Sequence, residues 1–165
     1  MSDNKFPSEM IDLPSKGKLY PKDSPLKDGK IEIKYMTARE EDILTSANLI
    51  KKGLVIDRLI DSLIITKGVS CDDLVLGDKN AVMVAARILA YGPEYTCEVS
   101  HPTTGEKKEQ TFNLADCPFK EIDKTITENL FECELPISKK KIKFKILTGK
   151  DERLISEDLK ASTKT

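Results

Sequence analysis

The sequence predicts an α+β fold: an N-terminal extended arm and strand, a three-helix cluster, two antiparallel β-hairpins and a C-terminal helix. Three observations carry that prediction. Apolar residues between positions 37 and 92 recur three and four apart, the spacing of one helix face. After Pro93 the apolar period falls to two, the spacing of strands. Pro and Gly punctuate both stretches where a helix or ladder has to stop. The expected organisation is an arm over 1–29, a single α+β domain over 30–159 and a polar tail over 160–165. Within the domain the helical part covers about 37–92, the hairpin part about 93–147 and the terminal helix about 149–159.

The arm carries Pro7, Pro14, Pro21 and Pro25 together with Gly17 and Gly29. Proline fixes φ and biases the preceding residue towards extended backbone. The expectation is a surface-running segment with a turn at Lys27-Asp28-Gly29. Ile11, Leu13, Leu19 and Tyr20 are planted along it, so it docks on a surface, either that of its own domain or that of a partner. Residues 30–35 then alternate strictly, with Ile31, Ile33 and Tyr35 on one face and Lys30, Glu32 and Lys34 on the other. That pattern is a half-buried strand.

Thr37 followed by Glu40 reads as a capping box, and Glu41 and Asp42 favour the helix dipole. A helix is expected over 38–52, with Ile43, Leu44, Ala47 and Ile50 on one face and Gly53 after its end. Ile56, Leu59, Ile60, Leu63 and Ile64 predict a second helix over 55–66. Ser70 with Asp73 marks a short capped turn. Asp78 is expected to cap a third helix reaching Leu89–Tyr91, with Ala81, Val82, Ala85, Ile88 and Leu89 inward; Gly92-Pro93 ends it.

Tyr95–Val99 and Gln110–Leu114 flank a polar loop and predict a hairpin. Pro118 opens a short irregular piece containing Ile122 and Ile126. Phe131–Leu135 and Ile142–Ile146 predict a second hairpin turning near Pro136–Lys140. Thr148 with Asp151 caps a terminal helix containing Leu154, Ile155 and Leu159.

Composition narrows function. The chain has 165 residues, 33% charged and 39% apolar, which is a globular balance. With 27 basic and 28 acidic residues the net charge is -1, so no global field argues for nucleic acid or an anionic membrane. Trp is absent and aromatics are only 5%, which weakens any base-stacking surface. No apolar run approaches the roughly 18 residues of a membrane span. The first residues lack the apolar core of a secretory signal, so a cytoplasmic chain with reduced cysteines is expected.

Residues that could carry chemistry are sparse. His101 is the sole histidine, in a loop beside Pro102 with no local triad partner. Cys97, His101, Cys117 and Cys133 are the weak candidates for a metal. Structural zinc draws on tight pairs, and here Cys97-x₃-His101 alone is tight. Cys97 and Cys133 also fit strand patterns as small buried groups. No metal and no cofactor is expected. Gly149-Lys150 lacks a P-loop, because Phe144 and Asp151 stand where Gly and Ser or Thr are needed. Asp57 and Asp61 form an i, i+4 acidic pair expected to be solvated, and a hydrolase using them is a remote reading. Lys141, Lys143 and Lys145 share one strand face; lysines there blunt a sheet edge or meet an acidic partner. Arginines and interleaved aromatics that would support nucleic acid are missing from it.

Ile11-Asp12-Leu13-Pro14-Ser15-Lys16-Gly17 and Ile31 through Leu44 resemble the baseplate hub family of T-even-like contractile-tailed bacteriophages. Leu76-Gly77-Asp78-Lys79-Asn80, Ala85 through Gly92 and Leu147 through Glu152 fit the same family. The resemblance covers roughly 10–155 and contains no catalytic signature. It implies a non-enzymatic protein that helps build the central hub of the tail baseplate through protein–protein contacts. Its partners would be other hub or tape-measure proteins of the same phage, with no small-molecule substrate and no nucleic acid. It would act in the host bacterial cytoplasm during assembly and then in the virion tail baseplate. The resemblance implies a Cys-x-x-Cys knuckle at the hairpin tip in many members; this chain departs from it with Ser100-His101-Pro102-Thr103-Thr104-Gly105, so a family zinc site is not carried over to it.

The runner-up is a transient chaperone for the tape-measure or hub proteins, absent from the mature virion. A zinc-ribbon-like nucleic-acid module is the remote alternative. Leu13, Pro14, Lys16, Leu19 and Tyr20 of the arm, with Lys141, Lys143 and Lys145, are the expected partner contacts. The arm is named because apolar anchors sit on backbone without periodic structure to bury them.

Overall fold

The structure, a computed structural model, describes residues 7–120 and 122–162. The start of the expected arm, residues 1–6, and the end of the expected tail, residues 163–165, lie outside the described residues. Strand β1 (Ser8–Asp12) pairs antiparallel with β2 (Lys30–Lys34), in a register from Ser8↔Lys34 to Asp12↔Lys30. The first part of the arm is therefore extended. The remainder, 13–29, folds into successive tight turns instead. Lys16 N–H donates to Leu13 O at 2.9 Å, Lys27 N–H to Ser24 O at 3.0 Å and Gly29 N–H to Leu26 O at 3.0 Å. Gly17 and Gly29 make this possible, with φ of +75° and +70°. A Cβ on Gly17 would collide with the Lys27 carbonyl, and one on Gly29 would lie 2.7 Å from Lys16 Cα.

Helix α1 (Ala38–Thr45) starts at the Thr37–Glu40 capping box. The expected single helix over 38–52 breaks at Ser46, whose extended backbone starts α2 (Ala47–Lys52) and whose hydroxyl accepts from Leu49 N–H. The break turns α2 outward and leaves Ile50 57% exposed, so Ile50 does not continue the inner face of α1. Helix α3 (Val55–Leu63) is shorter than expected. Ile64 turns extended and the chain runs alongside β2 instead: Ile65 N–H donates to Glu32 O at 2.9 Å, and Glu32 N–H to Thr66 Oγ1 at 2.8 Å. Three β-branched residues in a row favour that switch.

A 3-10 turn (Cys71–Asp73) carries the Ser70–Asp73 capping box. Helix α4 (Leu76–Tyr91) begins two residues before the expected Asp78 cap, with Val75 as its cap residue. Hairpins β3–β4 (Glu94–Ser100, Lys107–Asn113) and β5–β6 (Phe131–Glu134, Lys141–Phe144) come next, and α5 (Gly149–Ser162) ends the described chain. The helix thus continues past the expected start of a polar tail. The fold is α+β, with three two-stranded antiparallel sheets among the described residues.

The core runs from Leu13 to Ala86, built by Leu13, Leu19, Tyr20 and Leu26 of the turn segment, Ile31 and Ile33 of β2, α3, Leu74, Val75 and Val82. Most of the chain beyond Tyr91 stands outside it, with Ile122, Ile126 and Phe131 packed partly against it. Among the described residues no helix is long and apolar enough to cross a membrane.

Candidate assembly interface

A buried carboxylate ties the arm to the helices. Asp78 is 1% exposed, in the first turn of α4. It accepts from Ser15 N–H at 2.9 Å, Ser15 Oγ–H at 2.5 Å and Tyr20 Oη–H at 2.7 Å. The Tyr20 oxygen in turn accepts from Val75 N–H at 3.1 Å. Burial, followed by the Asp78 charge and hydrogen bond, pushes the Tyr20 phenol up, so it stays a donor. These bonds decide where the expected arm contacts sit. Leu13, Leu19 and Tyr20 are directed into the chain's own core and present no surface to a partner. Pro14 is half-buried and Lys16 is exposed.

Two further networks hold the helices. Glu40, fully buried, accepts from Lys34 Nζ at 2.7 Å, Ser62 Oγ at 2.5 Å and both Thr37 N–H and Oγ–H. Burial would raise its carboxyl, but the hydrogen bonds outweigh it and hold the group near about 2. Lys79 lies 2.7 Å from Asp57 of α3 and 2.7 Å from Glu152 of α5. Burial opposes its charge, and the bonds to Asp57 and Glu152 outweigh that and raise its pKa.

The expected solvated pair Asp57 and Asp61 is therefore engaged. Asp57 holds Lys79 and faces Cys71 Sγ at 3.6 Å, and Asp61 accepts from Cys71 N–H at 2.7 Å. Burial pushes the Cys71 thiol up to about 12 against the lowering pull of Lys79, with Asp57 and Asp61 adding to the rise, so it remains a thiol at neutral pH. Cys97 is half-buried, and Cys117, Cys133 and His101 are exposed. His101 Nδ1 accepts from Thr103 and Thr104 N–H at 3.3 and 3.2 Å, which shapes the hairpin tip. Among the described residues no three His, Cys, Asp or Glu side chains converge as a metal site.

The lysine stripe is partly neutralised. Lys143 pairs with Glu132 across the hairpin at 2.9 Å, and Lys145 with Asp151 at 2.8 Å. Lys141 stands opposite Glu134 in the register.

Apolar surface gathers on the second half of the chain. On β3–β4, Tyr95 and Phe112 are cross-strand partners, and both are exposed along with Val99. Tyr95 and Tyr91 reach the rim of an apolar groove of about 380 Å³, whose floor includes Met36, Leu44, Leu59 and Met83. Arg87 stands over both rings, 4.8 Å from the Tyr91 centroid and 5.9 Å from that of Tyr95. On β5–β6, Phe131 and Phe144 stack at 5.3 Å, yet Phe144 is 49% exposed. Helix α5 turns its polar side inward: Glu152, Arg153, Ser156 and Lys160 line a cavity of about 700 Å³ shared with Asp57 and Lys79. Leu154 and Ile155 are 44% and 45% exposed. Two-stranded ladders with one bare apolar face are marginal alone, and contiguous exposed apolar surface marks contact with other proteins. The period-two pattern of β3–β6 locates these faces in the sequence. That none of the described residues covers them is a property of the folded molecule.

No curated protein and no solved structure matches the chain. The sequence model of one family, described as T4 bacteriophage base plate protein, matches residues 8–131. That stretch takes in the Asp78 network, the whole core and the first hairpin, and so the chain belongs to the T4 bacteriophage base plate protein family.

Proposed function

We propose that this chain is a non-enzymatic protein of the baseplate hub that acts in tail assembly through protein–protein contacts. The observation that carries the reading is the split between a closed core over 13–86 and exposed apolar faces on both hairpins and α5. A monomer gains nothing from such faces, whereas an assembly subunit needs them. The partners are other hub or tape-measure proteins of the same phage, met in the host cytoplasm. The same exposed faces also fit a transient chaperone for those proteins.

Co-expression with the hub and tape-measure proteins, followed by pull-down and native mass spectrometry, tests the proposal. A defined complex is the expected result, and a monomer that binds none of them overturns it. Mass spectrometry of purified virions then separates a resident subunit from a chaperone that leaves.

A further inference from the structure

The β5–β6 hairpin has two unlike edges. Glu132 and Glu134 lie on β5, and Lys141 and Lys143 face them from β6. All four side chains share one face, because residues two apart on a strand do so. Phe131, Cys133, Ile142 and Phe144 occupy the opposite face. Among the described residues the sheet stops at these two strands, so both edges are open.

Backbone directions are set by the turn. Leu135 N–H donates to Lys140 O at 2.9 Å, which makes Leu135–Lys140 a hydrogen-bonded pair. Antiparallel ladders alternate bonded and non-bonded pairs, so Cys133–Ile142 and Phe131–Phe144 are bonded too. Asn129 agrees with this phase, since its side-chain amide exchanges two bonds of 2.8 Å with Ile146 N–H and O. The N–H and C=O groups of Glu132, Glu134, Lys141 and Lys143 then point outward. The residues that offer free ladder bonds are the residues that carry the charges.

We propose that this hairpin joins copies of the chain edge to edge, the lysine edge of β6 in one copy taking the glutamate edge of β5 in the next. Like edges do not combine: two β6 strands would oppose lysines, and two β5 strands would oppose glutamates. The unlike pairing places each lysine between glutamates of its own and of the neighbouring hairpin. Lys143 and Glu132 keep 67% and 57% of their side-chain surface within the hairpin, so both remain available outward. Lys139 Nζ lies 3.8 Å from Glu134, whose side chain keeps 50% of its surface.

Repeating the hairpin by translation preserves the antiparallel order and keeps the Phe and Ile side chains on one face. Exposed ion pairs contribute little each, so the charges select the pairing while ladder bonds and apolar contacts hold it. The contact is heterologous, and it closes into a ring or grows into a filament according to the rotation per copy. It does not depend on the hub reading, because it uses residues that lie almost wholly beyond the matched stretch 8–131.

A fourfold swap, Glu132→Lys, Glu134→Lys, Lys141→Glu and Lys143→Glu, keeps the pairs inside the hairpin and reverses both edges. Native mass spectrometry of full-length wild type, of the swap, and of the half-swap Lys141→Glu with Lys143→Glu, whose two edges are both acidic, reads the outcome. The expected result is self-association of wild type and of the swap, and its loss in the half-swap. Lys143→Pro removes one outward N–H without touching an internal ladder bond, and it should weaken self-association at least about tenfold. Undiminished self-association of the half-swap overturns the proposal, and so does a wild type that stays monomeric at every concentration. A monomeric wild type that loses a different baseplate protein on Lys143→Pro assigns the edge to that protein and equally overturns the second-copy reading.

Discussion

The Tyr20 hydroxyl donates to the Asp78 carboxylate at 2.7 Å, joining residues 58 positions apart in the sequence. The same oxygen accepts from Val75 N–H, so one phenol links the arm to the entry of α4. Tyr20→Phe removes both bonds and leaves a buried acceptor and a buried N–H short of partners. Such a loss costs about 1–3 kcal/mol. Asp78→Ala strands three donors at once and costs more. Urea unfolding of the purified variants measures this, and wild-type midpoints in both would show that the network carries no stability.

Glu40 predicts an acid limit. Its carboxyl ordinarily titrates at 4.5 and is held near about 2 in the fold. A depressed folded pKa gives stability that is complete above 4.5 and is lost as pH falls towards about 2. Melting temperatures should therefore fall through that window, and Glu40→Gln should show a shallower fall from a lower starting value. Asp72, bonded to Arg153, and Asp151, bonded to Lys145, are also held low and add to the slope in both proteins. Parallel curves for wild type and variant would refute the role given to Glu40.

Gly17 and Gly53, both with left-handed backbone, predict a contrast. Gly17→Ala meets both a left-handed φ of +75° and the Lys27 carbonyl. Gly53→Ala meets the same backbone strain at +71° with open space around it. Left-handed strain alone costs about 1–2 kcal/mol, so Gly53→Ala should lose about that much and Gly17→Ala considerably more. Equal losses in calorimetry would mean that the turn segment yields freely.

Helix α5 is fastened by charge. Arg153 bonds to Asp72 at 2.6 Å, and Glu152 to Lys79 at 2.7 Å. Both arms of the Arg153–Asp72 pair are 37% exposed, so salt reaches them. Raising ionic strength from 0.1 to 1 M shortens the screening length from about 10 to about 3 Å. Amide exchange within Gly149–Ser162 should speed up with salt and with Arg153→Ala, while the core keeps its protection. Salt-independent protection of α5 would argue that packing holds it instead.

Much of this architecture is written locally. The Thr37–Glu40, Ser70–Asp73 and Thr148–Asp151 pairs each span three residues, and each caps as its spacing predicts. The hairpins arise from period-two alternation. What the sequence conceals depends on distance. Asp78 stands where a helix-dipole acid would stand, and its partners Ser15 and Tyr20 belong to a segment without periodicity. Leu13 and Leu19 therefore read equally well as partner anchors and as core. Ser46 looks like an ordinary helix residue until its backbone turns extended. The lysine stripe looks like surplus charge until Glu132 and Asp151 meet it in space.

The reach from Ser15 to Asp78 also sets an order of events on the ribosome. A chain emerging N-terminus first exposes Leu13, Leu19, Tyr20 and Leu26 long before α4 exists to receive them. The β1–β2 pair and the turns between cannot be held until residues 74–86 have left the exit tunnel. Contacts so far apart in sequence form slowly. The N-terminal third is thus a dependent piece, unable to fold as an isolated fragment and open to holdase chaperones during synthesis.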